Sequence, residues 1–452
     1  MKVGFISLGC SKNLVDTEMM IGLFKNKDYD IVNNPKVADV IVINTCGFIE
    51  KAKEEAINTI LEMSKYKDPK VGKCKVLIAT GCLVERYKEE LEKALPEVDI
   101  FLKYSDYAED KNNSAVIFED VFSKIENKHI ENKENLSFHN RVISTGKQYA
   151  YIRIAEGCDN RCTYCAIPYI RGKFVSRQIE NILQEARELA DNGIQEIILI
   201  AQDTSKYGID IYGSLKLAEL LNELCKIEKI KWIRFLYTYP ETITDELIKV
   251  IKENDKICKY FDIPVQHISN TVLKRMNRKT TGEDIRNIIS KLRHNIPGVI
   301  IRTTVMVGFP GETEEDFKEL YNFVKDEKFD KLGAFSYSKE EGTPAARIKE
   351  QIHPMTKKSR YNKIMQLQKQ ISKEKEKENI GKTVEVFVEG ISKDKKYLVG
   401  RTYMDVPDID GISYILTDNM EKENLENMIG KFVKGKIVDT TEYDTIVELL
   451  KF

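Results

Sequence analysis

Cys158, Cys162 and Cys165 stand in the run Glu156-Gly-Cys-Asp-Asn-Arg-Cys-Thr-Tyr-Cys, a Cys-x3-Cys-x2-Cys spacing. With nine cysteines in 452 residues, that spacing arises by chance with a probability of about 0.004. Three thiolates on one short loop can hold three irons of a 4Fe-4S cluster, leaving the fourth iron without a protein ligand. An open coordination position is where a cofactor or substrate meets a metal. A structural zinc loop is the alternative, and it lacks its fourth ligand here. Cys10, Cys46 and Cys82 form a second set, spaced 36 residues apart both times. Each could be a buried small hydrophobe, the usual fate of a free cysteine. Three at matching positions favour a second cluster site, again with one open iron. Cys74, Cys225 and Cys258 read as structural.

The second set is informative because of what precedes each cysteine. Val3 to Leu8, Val40 to Ile43 and Val76 to Ala79 are apolar runs of strand character, and helix-like segments start near Leu14, Lys51 and Val84. The pattern βαβαβα predicts a parallel sheet whose strand ends share one edge, where ligands bind. A polar stretch from Ala108 to Gln148, with one short element near Val116 to Phe122, reads as a linker. Beyond it the runs Tyr151 to Ala155, Ile197 to Ala201, Trp232 to Tyr237, Phe261 to Val265, Val299 to Val307 and Lys331 to Tyr337 recur at βα spacing. Six units predict a partial version of the eight-unit barrel, with chemistry at the carboxyl ends of the strands. The Cys158 loop follows the first of them. Pro354 to Lys377 reads as a helix, and from Lys377 to Phe452 short strands alternate with Gly and Asp, which predicts a small antiparallel barrel.

Composition bounds the rest. Length alone predicts several domains. The chain is 42% hydrophobic and 32% charged, with a formal net charge of -1, so disordered and collagen-like classes are excluded and no global pull toward nucleic acid exists. No apolar stretch is long enough to span a membrane, and the run from Met1 breaks at Gly9-Cys10 without a signal-peptide pattern. The expectation is a cytoplasmic protein, where thiols stay reduced. Five histidines give a His-centred triad little to work with, and no Walker loop, dinucleotide fingerprint or His-Glu-x-x-His is present.

The Cys158 loop resembles that of the radical S-adenosylmethionine enzymes, and the whole arrangement is similar to their methylthiotransferase subgroup. Matching segments are Gly157 to Arg177, Ala201 to Gly208, Val307 to Thr313 and Phe335 to Ala346. Two more, Ile6 to Glu18 and Gly400 to Gly411, resemble the branch that acts on ribosomal protein uS12; Ser11 departs from the proline common there. The resemblance implies an α/β protein. It places an N-terminal methylthiotransferase domain at 1–118, a linker at 119–143, a radical S-adenosylmethionine core at 144–375 and a TRAM-like β-barrel at 377–452. It also implies two 4Fe-4S clusters, on Cys158, Cys162 and Cys165 and on Cys10, Cys46 and Cys82, with all six cysteines catalytic. S-adenosylmethionine on the first cluster would yield a 5'-deoxyadenosyl radical. The second cluster would carry a sulfur atom, accept a methyl group from another S-adenosylmethionine and deliver methylthio. Tyr164, Gln202, Asp203, Gln266, Gly308 and Gly311, all beside a ligand or at strand ends, are candidate cofactor contacts, the glycines equally as turn formers.

The implied substrate is an aspartate β-carbon in uS12. Its partners are a sulfur donor and an electron donor, without a membrane. The alternative branch acts on transfer RNA. Residues 377–452 hold 11 Lys and Arg against 15 Asp and Glu, a net -4, whereas an RNA-holding surface should be basic. Asp405, Asp408 and Asp410 are the candidates for contact with a basic partner, or else turn residues. A third possibility is an iron-sulfur scaffold without turnover.

Overall fold

The computed structural model describes residues 1–107, 113–126, 141–146, 148–417 and 425–450. The first unit runs β1 (Lys2–Ser7), α1 (Ser11–Asn26), β2 (Asp30–Ile31), β3 (Val40–Thr45), α2 (Glu50–Ser64), β4 (Val76–Gly81), α3 (Cys82–Ala94), β5 (Ile100–Lys103), α4 (Tyr104–Tyr107) and α5 (Asn113–Glu126). Its sheet has the order β2-β1-β3-β4-β5, and every pairing is parallel. β3 is apolar almost throughout and fully buried, as a parallel strand covered on both faces requires. The cores on the two faces are separate. Phe24, Phe118, Phe122 and Ile125 lie on one and Ile60, Leu83 and Leu91 on the other. The linker expected from residue 119 is therefore corrected. Through Glu126 the chain is still helix, because Phe118, Val121, Phe122 and Ile125 repeat at helical spacing and bury against α1. The remaining stretch, 127–140, lies outside the described residues.

The core follows as β6 (Tyr149–Arg153), β7 (Ala155–Glu156), α6 (Ile167–Ile170), β8 (Val175–Ser176), α7 (Ile179–Asp191), β9 (Glu196–Ile200), α8 (Ile209–Tyr212), α9 (Leu217–Cys225), β10 (Trp232–Phe235), α10 (Asp245–Glu253), β11 (Tyr260–Gln266), α11 (Asn270–Arg275), α12 (Gly282–Asn295), β12 (Ile300–Val307), α13 (Glu314–Glu327), β13 (Lys331–Ser336) and α14 (Pro354–Lys377). Two three-stranded parallel sheets, β10-β9-β6 and β11-β12-β13, meet through the bridge Ile233 to Ile257. They make the six-unit partial barrel expected from the spacing. Thr281 and Thr313 start α12 and α13 with reciprocal side-chain to backbone caps, worth about 1 kcal/mol each. β12 alternates half-buried and buried residues along its whole length, so one face meets helices and the other an open interior.

Two neighbours cover part of that interior. Leu14, Val15 and Met19 of α1 pack on Tyr149 and Tyr151, and Phe387, Val406 and Phe432 of the C-terminal unit join the same cluster. At the far side Phe335 on β13 stays 53% exposed. The C-terminal unit, β14 (Thr383–Ile391), β15 (Tyr397–Arg401), β16 (Ser413–Leu416), β17 (Phe432–Thr440) and β18 (Thr445–Leu449), is a closed barrel ordered β14-β15-β16-β18-β17. The barrel is expected to be antiparallel, yet β16 and β18 run parallel. Five strands in a ring cannot all alternate in direction, so one parallel neighbour pair is geometrically required.

Candidate active site

Both cysteine sets stand at carboxyl ends of parallel strands. Cys10 precedes α1 after β1, Cys46 follows β3, and Cys82 opens α3 directly after β4. Since β1, β3 and β4 are adjacent, the three loops share one edge. Glycine brings them close. A Cβ on Gly9 would lie 3.0 Å from Cys46 Sγ, one on Gly47 would lie 2.6 Å from Leu83 Cα, and one on Gly81 would lie 2.2 Å from Asn44 Oδ1. Gly81 is also at φ +94°, a region that L side chains avoid.

In the core, β7 leads into the Cys158 loop. Cys158 N donates to Gly172 O (3.2 Å), and Cys165 N to Cys162 O (3.0 Å). The loop is pinned from outside by Thr163, whose Oγ1 donates to Arg275 O at 2.8 Å, and by Asn277, whose Nδ2 donates to Arg161 O at 3.0 Å. Cys158 and Cys162 are buried and Cys165 is half-buried.

The two sets meet at Arg171, which follows α6. Its Nη1 donates to Asp16 Oδ2 at 2.8 Å, and its Nη2 to Asn13 Oδ1 at 2.5 Å and to Cys82 Sγ at 3.5 Å. The guanidinium lies 3.9 Å over the Tyr104 ring. Arg153 pairs with Asp16 and, at 2.9 Å, with Glu156. Cys82 also packs against Ala166 and Ile170 beside the Cys165 end of the loop. On the other set, Arg278 Nη1 approaches Cys162 Sγ at 3.9 Å with its guanidinium 4.3 Å over Tyr239.

Among the described residues, no three His, Cys, Asp or Glu side chains converge as they would on a single ion. A multi-iron cluster takes one thiolate per iron and needs them apart. The electrostatics fit such a group. Burial pushes Cys46 up to about 12, and the neighbouring Cys82 and Cys10 push the same way. Burial likewise raises Cys158 to about 11 and Cys165 to about 12, with the neighbouring thiols adding. Thiols so placed ionise only against a large positive charge, which iron supplies.

The expected cofactor contacts separate. Gln202 Nε2 donates to Glu156 Oε1 at 2.5 Å, while its Oε1 is buried without a partner, an acceptor free for an ammonium or hydroxyl beside the loop. Gln266 closes β11 at φ +69°. Tyr164 packs with Phe309, Met276 and Tyr337. Asp203 accepts from Asn160 Nδ2 (2.8 Å) and Ser205 Oγ (3.0 Å) and so helps to hold the loop. Gly308 and Gly311 stand at φ +71° and +79° beside Lys357 and Arg275, a backbone conformation that favours glycine at both. Asp405 and Asp410 are corrected as surface contacts, whereas Asp408 stays exposed beside its internal partner. Asp405 pairs with Lys331 at 2.9 Å, Asp408 accepts from Tyr149 Oη at 2.9 Å and Asp410 from Tyr260 Oη at 2.7 Å. All three clasp the barrel to the amino ends of the core strands. Asn13, Asp16, Glu156, Arg171 and Arg278 were not singled out from the sequence. The one signal was the polar run Lys12 to Glu18 on a helix that had to pack.

Residues 152–324 match the family described as the Radical SAM superfamily, residues 2–103 the Uncharacterized protein family UPF0004, and residues 380–450 the TRAM domain. The ribosomal protein uS12 methylthiotransferase RimO of Alkaliphilus oremlandii is 60% identical over 99% of both chains. The protein of that name from Acetivibrio thermocellus is 50% identical over 99% of this chain and 98% of its own. The chain belongs to the RimO family of ribosomal protein uS12 methylthiotransferases. It is thus a transferase of the radical S-adenosylmethionine superfamily. The fold is also that of the radical S-adenosylmethionine methyltransferase TsrM from Kitasatospora setae, at TM-score 0.54 and 12% identity over 76% of each chain. In this chain the two cysteine sets lie on separately matched regions, 2–103 and 152–324, and Arg171 of the second contacts Cys82 of the first. Among the described residues no helix is long and apolar enough to cross a membrane.

Proposed function

We propose that this chain methylthiolates the β-carbon of an aspartate in ribosomal protein uS12, in the cytoplasm, using two molecules of S-adenosylmethionine and two 4Fe-4S clusters. The observation that carries the reading is the Arg171 bridge. The segment after the Cys158, Cys162 and Cys165 loop supplies the guanidinium that touches Cys82, so one side chain links the two sets, which supports a two-stage reaction on one carbon. When bound, the first cluster supplies the electron that cleaves S-adenosylmethionine and the second the iron on which sulfur is relayed. Cys158, Cys162 and Cys165 hold the first and leave one position open; Cys10, Cys46 and Cys82 do so for the second. Gln202 offers its free Oε1 to the cofactor, Tyr164 and Gln266 border it, and Asn160 with Asp203 fixes the loop. A sulfur donor and an electron donor complete the partners.

An aspartate in a basic ribosomal protein suits a C-terminal region with a net charge of -4 better than RNA does, because phosphate neutralisation drives RNA affinity. Mass spectrometry of uS12 and of transfer RNA from cells lacking the gene tests this directly. The expected result is loss of the methylthio mass from uS12 with transfer RNA unchanged. Loss from the RNA with uS12 intact overturns it.

A further inference from the structure

α1 carries five buried polar or charged residues in its first two turns, Lys12, Asn13, Asp16, Thr17 and Glu18. Four of them are satisfied by named partners. Asn13 donates to the Leu8 and Thr45 carbonyls. Asp16 is held by Arg153 and Arg171. Thr17 donates to the Asn13 carbonyl, and Glu18 accepts from Arg141 and Ser144. Lys12 differs. It is 8% exposed, yet among the described residues no carboxylate pairs with it, and its one close polar contact is the Tyr237 ring, 3.5 Å from Nζ. An aromatic face softens the desolvation of an ammonium without neutralising it. The stem is buried, but Nζ itself is not sealed from open space, so an anion can reach the ammonium.

The place is telling. Lys12 follows Cys10 by two residues, and Cys10 is exposed. Tyr237 stands just beyond the carboxyl end of β10, at φ +63°, with its amide donating to Asp262 Oδ2 at 3.2 Å. Asp262, which that amide reaches, is already taken by Arg302 at 2.8 Å. The Lys12 side chain therefore stands on the helix that follows a ligand of the second cluster, against a ring at the open interior of the core, and among the described residues no anion pairs with it.

We propose that Lys12 is the substrate-carboxylate site, pairing with the side chain of the target aspartate. The inference rests on the uS12 reading above and deepens it. In aspartate the β-carbon is bonded directly to the carboxyl carbon, so a cation that holds the carboxylate also fixes the carbon to be modified, next to the Cys10 edge. Selection follows from the same contact. An asparagine or a neutral base in that position would leave the ammonium unpaired, which is how charge recognition rejects a near-isostere.

The test uses the anaerobically reconstituted holoenzyme and full-length uS12 in two forms, native and with the target aspartate changed to asparagine, with binding read by fluorescence anisotropy. The wild type is expected to bind the aspartate form at least about tenfold more tightly, in the range of close charge pairs in interfaces. K12M should bind both forms alike, and K12R should keep the preference. Melting temperature and iron content establish that each variant is folded. If K12M fails that check, K12Q is read in its place. A preference that survives in K12M or K12Q overturns the inference, as does a wild type that binds both forms equally. A wild type that binds neither form overturns the uS12 reading itself, a separate and distinguishable result.

Discussion

At Arg171 one guanidinium donates to Asp16, Asn13 and Cys82 together, and Glu156 lies 3.5 Å away. Burial by itself would lower its pKa, but Asp16 and Glu156 hold it well above the usual arginine range; it stays charged at any working pH. Arg171→Met should therefore leave Asp16 and Glu156 with Arg153 as their one paired cation among the described residues and cost about 3–5 kcal/mol, the usual penalty for breaking a buried ion pair. Chemical denaturation measures it, and a loss below 1 kcal/mol would mean that the bridge is dispensable. The cysteines separate by role at the same scale. Cys162→Ala should abolish 5'-deoxyadenosine formation, while Cys46→Ala should spare it and block methylthio transfer to uS12, both read by chromatography and mass spectrometry. Equal loss of 5'-deoxyadenosine in the two variants would refute the division of labour between the sites.

The elements that position the second site are three strand ends and the glycines that let them approach. Gly81 joins β4 to α3 at φ +94°, and a Cβ there would also lie 2.5 Å from Thr45 O. Gly81→Ala should push the β3 and β4 ends apart and carry Cys82 away from Cys46. Iron per chain is then expected to fall to about half, with the electron paramagnetic resonance signal of the Cys158, Cys162 and Cys165 cluster retained. Full iron content in that variant would show that the close approach is not needed. The strand-then-cysteine pattern was legible in the sequence because parallel strands buried on both faces are short apolar runs. The closeness of their ends was not, because it depends on how the strands align side by side.

Over the whole molecule, the C-terminal barrel closes the end of the core opposite the cysteines. Its central tie is Glu196, 0% exposed, which pairs with Arg234 at 2.9 Å and Arg401 at 2.7 Å. Burial raises its pKa, but the guanidiniums of Arg401 and Arg234 outweigh burial and hold it below its ordinary 4.5. A carboxylate depressed in the folded state binds fewer protons there than in the unfolded chain. Its contribution is complete above about 4.5 and is lost as pH falls through the depressed folded value. Thermal melting below pH 4.5 should show this loss in the wild type. Glu196→Gln should remove that part of the acid dependence and be less stable at pH 7 by about 3–5 kcal/mol. An unchanged acid slope in the variant would exclude Glu196 as the titrating group.

The six cysteine positions, the parallel N-terminal sheet, the six βα units and the small C-terminal barrel could all be read from spacing and periodicity, because these are local or repeat along the chain. Where the charges point could not. Asp405, Asp408 and Asp410 look like a surface for a basic partner, and folding spends them on Lys331, Tyr149 and Tyr260. Residues 119–126 look like linker, and hydrophobic contact with α1 makes them helix. Lys12 looks like any surface lysine until packing places it against Tyr237, with no anion paired to it among the described residues. Side chains far apart in sequence find their partners only in three dimensions. The sequence alone therefore identified the chemistry, whereas the tertiary structure decided which charges are spent on holding the domains together and which one is left for a substrate.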